Sequence, residues 1–255
     1  MDTVLFTQAK DRVSHSLEEK QGIGTLREKT LHAVLKHYYA PDTALHEIPI
    51  GNYIADIYTG TEIIEIQNGN FYKIRKKLKS FLAHYSVTLV YPMPHIKWLI
   101  WMDEETGELS KRRKSPVTGN VYKAFGELYR IKEFLNEENL HFRFPLVDIE
   151  EYRLLNGWSR DRKKGSCRYD RIPVALFDEV VIEDRKDYLS FLPDGLTEEF
   201  TSADLAKTAG ISRKAAGLTL HILAYVGVVV KTGKRGRSYT YNKRKDLIYE
   251  ASDRF

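Results

Sequence analysis

Asp56, Glu65 and Gln67 stand in the stretch IADIYTGTEIIEIQ, residues 54–67. Thr59–Glu62 reads as a four-residue turn between two short strands, so that Tyr58 pairs with Ile63 and Asp56 falls opposite Glu65. Side chains so paired share one face, with Cβ atoms about 4.5–5.5 Å apart. The strand period of two brings Gln67 to that face and turns Ile64 and Ile66 to the other, into the core. Two facing carboxylates repel, more strongly as water is excluded. A hard divalent cation relieves the repulsion: Mg²⁺ takes one or two carboxylates and completes its octahedron with water and substrate phosphate. The chemistry such a pair could support is attack of a metal-activated water on phosphorus.

The elements that must position these residues are legible around them. GTLREKTLHAVLKHYY, residues 24–39, is an amphipathic helix with Leu26, Leu31, Val34, Leu35 and Tyr38 inward, ended by Pro41. ALHEIPIG and NYIADIY are extended runs punctuated by Pro49 and Gly51, and TGT turns the chain into EIIEIQ. After the break NGN, Phe71, Ile74, Leu78, Phe81 and Leu82 mark one face of a helix whose other faces carry Lys73, Arg75, Lys76, Lys77 and Lys79. VTLVY and KWLIWM supply further strands, and VYKAFGELYRIKEFL a further helix. The order α-β-β-β-α-β predicts an α/β sandwich around a mixed sheet.

An acid, eight residues, then Glu-x-Gln, preceded by a helix with Glu28 and a strand with Glu47, resembles the PD-(D/E)XK nuclease superfamily over about residues 24–104. The resemblance implies a restriction endonuclease-like core and a Mg²⁺ or Mn²⁺ ion held by Asp56, Glu65 and the carbonyl of Ile66. Glu28 or Glu47 would add a ligand, directly or through water. Glu47 is favoured because its strand enters the same sheet. Gln67 occupies the position where this superfamily usually carries lysine. A neutral amide can orient the attacking water but cannot offset charge on the phosphate, so Lys73 or Lys76 on the following helix would supply the cation and hold the phosphates beside the cut.

The carboxyl end carries a second pattern. In TSADLAKTAGISRKAAGLTLHILAYVGVVVKTGKRGRSYTYN, residues 201–242, Thr201 or Ser202 caps a helix that runs through Ala209 and breaks at Gly210. Ser212 caps a second helix with Ile211, Ala215, Leu218, Ile222, Leu223 and Val226 inward, stopped by Gly227; His221 lies off that stripe. Val228 and Val230, then Tyr239 and Tyr241, alternate on two strands around the turn TGKRGR. Helix, glycine turn, helix and basic hairpin resemble the winged helix-turn-helix family. That resemblance implies double-stranded DNA as partner, with Arg213 and Lys214 at the start of the recognition helix and Lys234, Arg235 and Arg237 as wing contacts to phosphate.

Composition agrees with a polyanionic partner. Residues 151–255 hold 20 Lys and Arg against 15 Asp and Glu, whereas residues 1–150 hold 20 of each. No apolar run approaches a membrane span and the amino terminus lacks a signal-peptide pattern, so no membrane partner and a cytoplasmic location are expected. Cys167 is the single cysteine, which excludes an internal disulfide and a thiolate-rich zinc site. His32 and His37, five apart on one helix, do not share a face. The span 140–195 has strand-like pieces and a basic loop that either joins domains or extends the sheet. The expected organisation is a nuclease-like domain over 1–145, a connecting region over 146–195 and a winged helix over 196–255. The expected function is a metal-dependent DNA endonuclease. The rival is a non-catalytic DNA-binding regulator on a degenerate nuclease core, for which a second copy of the chain is a candidate partner.

Overall fold

The computed structural model describes residues 1–19, 30–116, 119–157, 165–244 and 246–247. Leu26 and the candidate ligand Glu28 lie outside the described residues. In chain order the elements are α1 (Thr3–Glu19), α2 (Thr30–Tyr39), β1 (His46–Ile50), β2 (Tyr53–Tyr58), β3 (Glu62–Ile66), α3 (Arg75–Leu82), β4 (Ser86–Val90), β5 (Met93–Met102), β6 (Arg113–Lys114), α4 (Ala124–Leu128), β7 (Leu140–Gly157), β8 (Gly165–Ile182), β9 (Glu199–Thr201), α5 (Ser202–Thr208), α6 (Arg213–Tyr225), β10 (Val229–Arg235) and β11 (Ser238–Lys243). From α2 to β4 the order is helix, three strands, helix, strand. Antiparallel and parallel pairs both occur, so the protein is α/β with a mixed sheet. No helix among the described residues is long and apolar enough to cross a membrane.

The chain divides into two compact units, each built from three separate stretches. The first comprises Met1–Ile66, Pro92–Asn120 and Phe144–Val180, the second Gln67–Tyr91, Val121–Arg143 and Val181–Phe255.

In the first unit α1 lies along α2, with Phe6 edge-on to Tyr38 at 5.6 Å between ring centroids. Leu31, Val34 and Leu35 of α2 are fully buried, as their helical spacing requires. Strands β1, β2 and β3 form an antiparallel meander. Gly51 takes a left-handed φ of 57° in the two-residue turn that pairs Ile50 with Tyr53. Tyr58 pairs with Ile63, which leaves the four-residue turn Thr59–Glu62. The alternation expected along β3 does not hold: Ile63, on the face of Glu65, is buried together with Ile64 and Ile66. A strand covered on both faces has no solvent side to display.

Farther along, β5 runs parallel to β7, with an irregularity between Pro94 and Lys97, and antiparallel to the short β6. Most of the span without a sequence assignment is strand: β7 and β8, 18 residues each, pair with one another and extend the sheet. Along β8 buried and half-buried positions follow no regular period, so pattern alone could not reveal it.

In the second unit β4 runs parallel to the first four residues of β7. A 3-10 turn over Phe71–Ile74 leads into α3, and Phe71, Ile74, Leu78 and Phe81 are buried as predicted, while Leu82 is only partly covered. The helix expected over VYKAFGELYRIKEFL is broken into 3-10 turns flanking α4, with fully buried Ile131 at φ −120°, ψ 24°. Packing of Ile131 overrides the helical pattern there, and Gly126 in the middle costs about 1 kcal/mol of helix propensity.

At the carboxyl end β9, β11 and β10 form a three-stranded sheet. Thr201 is the cap of α5: its hydroxyl accepts the N–H of Ala203 and Asp204, and the Asp204 carboxylate accepts the N–H of Thr201. Gly210, φ 64°, ends that helix, and Ser212 caps α6 through the N–H of Ala215. The buried face of α6 is rotated from the expected one. Ala216, Thr219, Leu220, Ile222, Leu223 and the C-cap Val226 are buried, whereas Ile211, Ala215 and Leu218 are half-exposed. The small Ala216 and Thr219 permit close packing on that side, which apolarity alone does not signal. The hairpin departs too. β10 continues through Arg235, so the turn is only Gly236–Arg237; Val228, just before the strand, and Val229 are buried while Val230 is exposed, and a bulge falls between Lys231 and Gly233.

Candidate functional site

Registers in the first unit bring three acids into a row. His46 pairs with Ile57 and Ile48 with Ala55, which sets Glu47 opposite Asp56; the pairing of Ile57 with Ile64 sets Asp56 opposite Glu65. Between β2 and β3 the carboxylates take over the ladder. The Asp56 N–H donates to Glu65 Oε1 at 3.1 Å, and the Ile66 N–H donates to Asp56 Oδ2 at 2.8 Å. Glu65 is 2% exposed, and a charge so deeply buried is tolerated only with hydrogen bonds to its oxygens.

Helix α2 crosses this row with two cation-forming side chains. His32 Nε2 lies 3.2 Å from Asp56 Oδ2, and Lys36 Nζ donates to Glu47 Oε1 at 2.9 Å. They are four residues apart and so share a helix face. Lys36 is 5% exposed, while its partner Glu47 is largely open and holds a positive φ of 54°. Non-glycine residues in that conformation are strained and cluster at functional positions. His37 points elsewhere, its ring 5.1 Å from that of His46. Burial, then Arg12, His46 and Lys36, push it down to about 4.

Asp56, Glu65, Glu47 and Ile66 are thus placed together, with Ile66 contributing its N–H to Asp56. Gln67 opens the second unit, half-buried, its N–H donating to the carbonyl of Val90 at 2.8 Å. Lys73 and Lys76 are exposed on the turn before α3 and on α3, also in the second unit. Arg213 and Lys214 are exposed at the start of α6, and Arg237 at the tip of the hairpin. Lys234 lies over the ring of Tyr239 at 5.1 Å. Arg235 is engaged within the chain: it faces Asp204 Oδ2 at 3.4 Å and Glu199 Oε2 at 3.8 Å and donates to the Glu199 carbonyl at 3.3 Å. It braces the hairpin against β9 and α5. His221 is exposed, as expected, with Lys132 Nζ 3.2 Å from its Nε2.

Sequence reasoning missed His32 and Lys36. The available signal was their spacing of four on a helix whose other side is apolar, directly before the acid-bearing strands. It also missed a His95–Asp148 pair, Nδ1 to Oδ1 2.9 Å, stacked on Phe177 with ring centroids 3.6 Å apart. His95 lies at the irregularity of β5, which no pattern announces.

As a metal centre, the row offers oxygen ligands of the kind Mg²⁺ takes, and two carboxylates meet its usual need from protein. No group of three or more His, Cys, Asp or Glu among the described residues is arranged to hold a metal ion. A bound ion would therefore rely on Asp56 and Glu65 with water and substrate.

An α/β protein with a mixed sheet and a row of acids that runs from exposed Glu47 through half-buried Asp56 to buried Glu65 is the class that fold and site define. The chain belongs to the family described as a domain of unknown function, DUF8091, whose model matches residues 29–183. The match includes the acid row and ends before α5. An uncharacterized protein of Treponema pallidum (strain Nichols) is 27% identical over 223 residues, 87% of each chain. No solved structure matches the chain.

Proposed function

We propose that the protein is a metal-dependent DNA endonuclease. The observation that carries this reading is the facing pair Asp56 and Glu65 on adjacent strands, each taking a backbone N–H of the neighbouring strand, within the element order helix, three strands, helix, strand. That order and pair are what a PD-(D/E)XK core requires. Asp56 and Glu65 would hold Mg²⁺ or Mn²⁺, which when bound lowers the pKa of a water and stabilises the leaving oxygen. His32, in contact with Asp56, orients that carboxylate, and α2 supplies through Lys36 positive charge that the neutral Gln67 cannot. The helix-turn-helix and hairpin of residues 201–243 have the element order of a winged helix, with Arg213, Lys214, Lys234 and Arg237 on exposed positions to meet duplex DNA.

A second reading, a DNA-binding regulator on a degenerate nuclease core, is favoured by two observations. Glu47 is paired with Lys36, and the described residues hold no three-residue metal cluster. Supercoiled plasmid incubated with Mg²⁺ or Mn²⁺ separates the two. Nicked or linear product from wild type, absent with Asp56→Asn and Glu65→Gln, is expected. An intact plasmid from a wild type that still shifts a duplex on a gel overturns the enzyme in favour of the regulator.

A further inference from the structure

Glu151, on β7 in the first unit, is 1% exposed and meets three cations from three strands. Lys97 Nζ of β5 lies 3.5 Å from Oε2, Arg153 Nη1 of β7 lies 3.0 Å from Oε1, and Arg168 Nε of β8 lies 3.3 Å from Oε2. Arg153 is fixed further, with Nε donating to Ser166 Oγ at 3.1 Å and Nη2 to the Ser166 carbonyl at 3.4 Å. One carboxylate against three cations leaves an excess of two positive charges. The pairing of Leu99 with both Arg113 and Glu151 sets a fourth cation in the same row.

Burial divides the cluster by role. The anion is sealed beneath the surface, while the side chains of Lys97, Arg153 and Arg168 remain 21%, 28% and 47% exposed. Glu151 therefore holds the cations from below and turns them toward solvent. Arg168 meets Glu151 through Nε and is the most exposed of the three cations. A planar guanidinium so presented matches the paired oxygens of a phosphoryl group. In water the excess charge is met by counterions, whose counterparts on a polyanion are released when phosphate arrives.

The geometry points to a phosphate-binding site formed by Lys97, Arg153 and Arg168 on Glu151, gripping the backbone of a nucleic acid. The choice of nucleic acid over a small phosphate rests on the proposed function. The site lies on β5, β7 and β8, apart in sequence from both the acid row and the basic hairpin.

The test is anisotropy of a labelled duplex titrated with full-length protein in EDTA, between about 50 and 200 mM salt, beside calorimetry with inorganic pyrophosphate. Lys97→Met and Arg168→Ala are each expected to reduce the slope of log K against log salt by about 0.9, which is about eightfold weaker binding at 0.1 M salt. The double variant is expected to lose about 60-fold, and Arg168→Lys to retain most of the slope. Wild-type slopes in both alanine and methionine variants overturn the proposal, as does a wild type that does not bind duplex. Pyrophosphate affinity lost in Arg168→Ala with the duplex slope unchanged also overturns it, assigning a small phosphate instead. Plasmid cleavage reports separately: cleavage with an unchanged Arg168→Ala slope sinks this site alone, whereas a lost slope with an intact plasmid sinks the nuclease alone.

Discussion

Glu65→Gln should make the metal-free protein more stable while removing its response to Mg²⁺. Glu65 is almost wholly buried and its Oε1 accepts the Asp56 N–H. Glutamine keeps the volume and an acceptor oxygen but removes the charge that faces Asp56. At about 5 Å and an effective dielectric of about 20, the repulsion is 332/(20 × 5), or about 3 kcal/mol. Against this, a backbone N–H bonded to a neutral oxygen is weaker than one bonded to a carboxylate by about 1 kcal/mol. The net gain is about 2 kcal/mol, a rise in Tm of about 4–8 °C for a chain of this size. Thermal unfolding in EDTA and in MgCl₂ reads both effects. Wild type at Mg²⁺ tenfold above its Kd should gain about 1.4 kcal/mol, and the variant almost none. A variant that melts below wild type in EDTA, or that Mg²⁺ stabilises as much as wild type, refutes the reasoning.

Thr201→Ala removes the reciprocal cap of α5 and should cost about 1–2 kcal/mol in urea unfolding, with Thr201→Ser restoring most of it. His37 has a folded-state pKa of about 4, below its unfolded value of 6.5, so the unfolded chain binds more protons between those values and stability falls as pH drops from about 6.5 toward 4. The full shift is worth about 3 kcal/mol, which solvent at this partly exposed ring reduces to about 1–2 kcal/mol; urea midpoints at pH 7 and pH 4.5 should show it, and His37→Gln should flatten that difference.

Local chemistry was legible where one short-range term dominates. Caps at Thr201 and Ser212, stops at Gly210 and Gly227, and the length of the Thr59–Glu62 turn follow from hydrogen bonds and φ preferences of neighbouring residues. The facing of Asp56 and Glu65 then follows from that turn. What failed depended on covering surfaces. Ile63 is buried on the face assigned to the acids, the inward face of α6 is turned toward Ala216 and Thr219, and β8 shows no period because its surroundings vary along its length.

The sequence by itself determined the element order from α2 to β4 and the pair of acids across one turn, because both rest on contacts between residues close along the chain. Tertiary structure decided which side chains meet which acids: His32 on Asp56, Lys36 on Glu47, and Lys97, Arg153 and Arg168 around Glu151. Strand pairing and helix packing bring these partners together from distant parts of the sequence. Charge acts through space, so its partners emerge only once the sheet has chosen its neighbours.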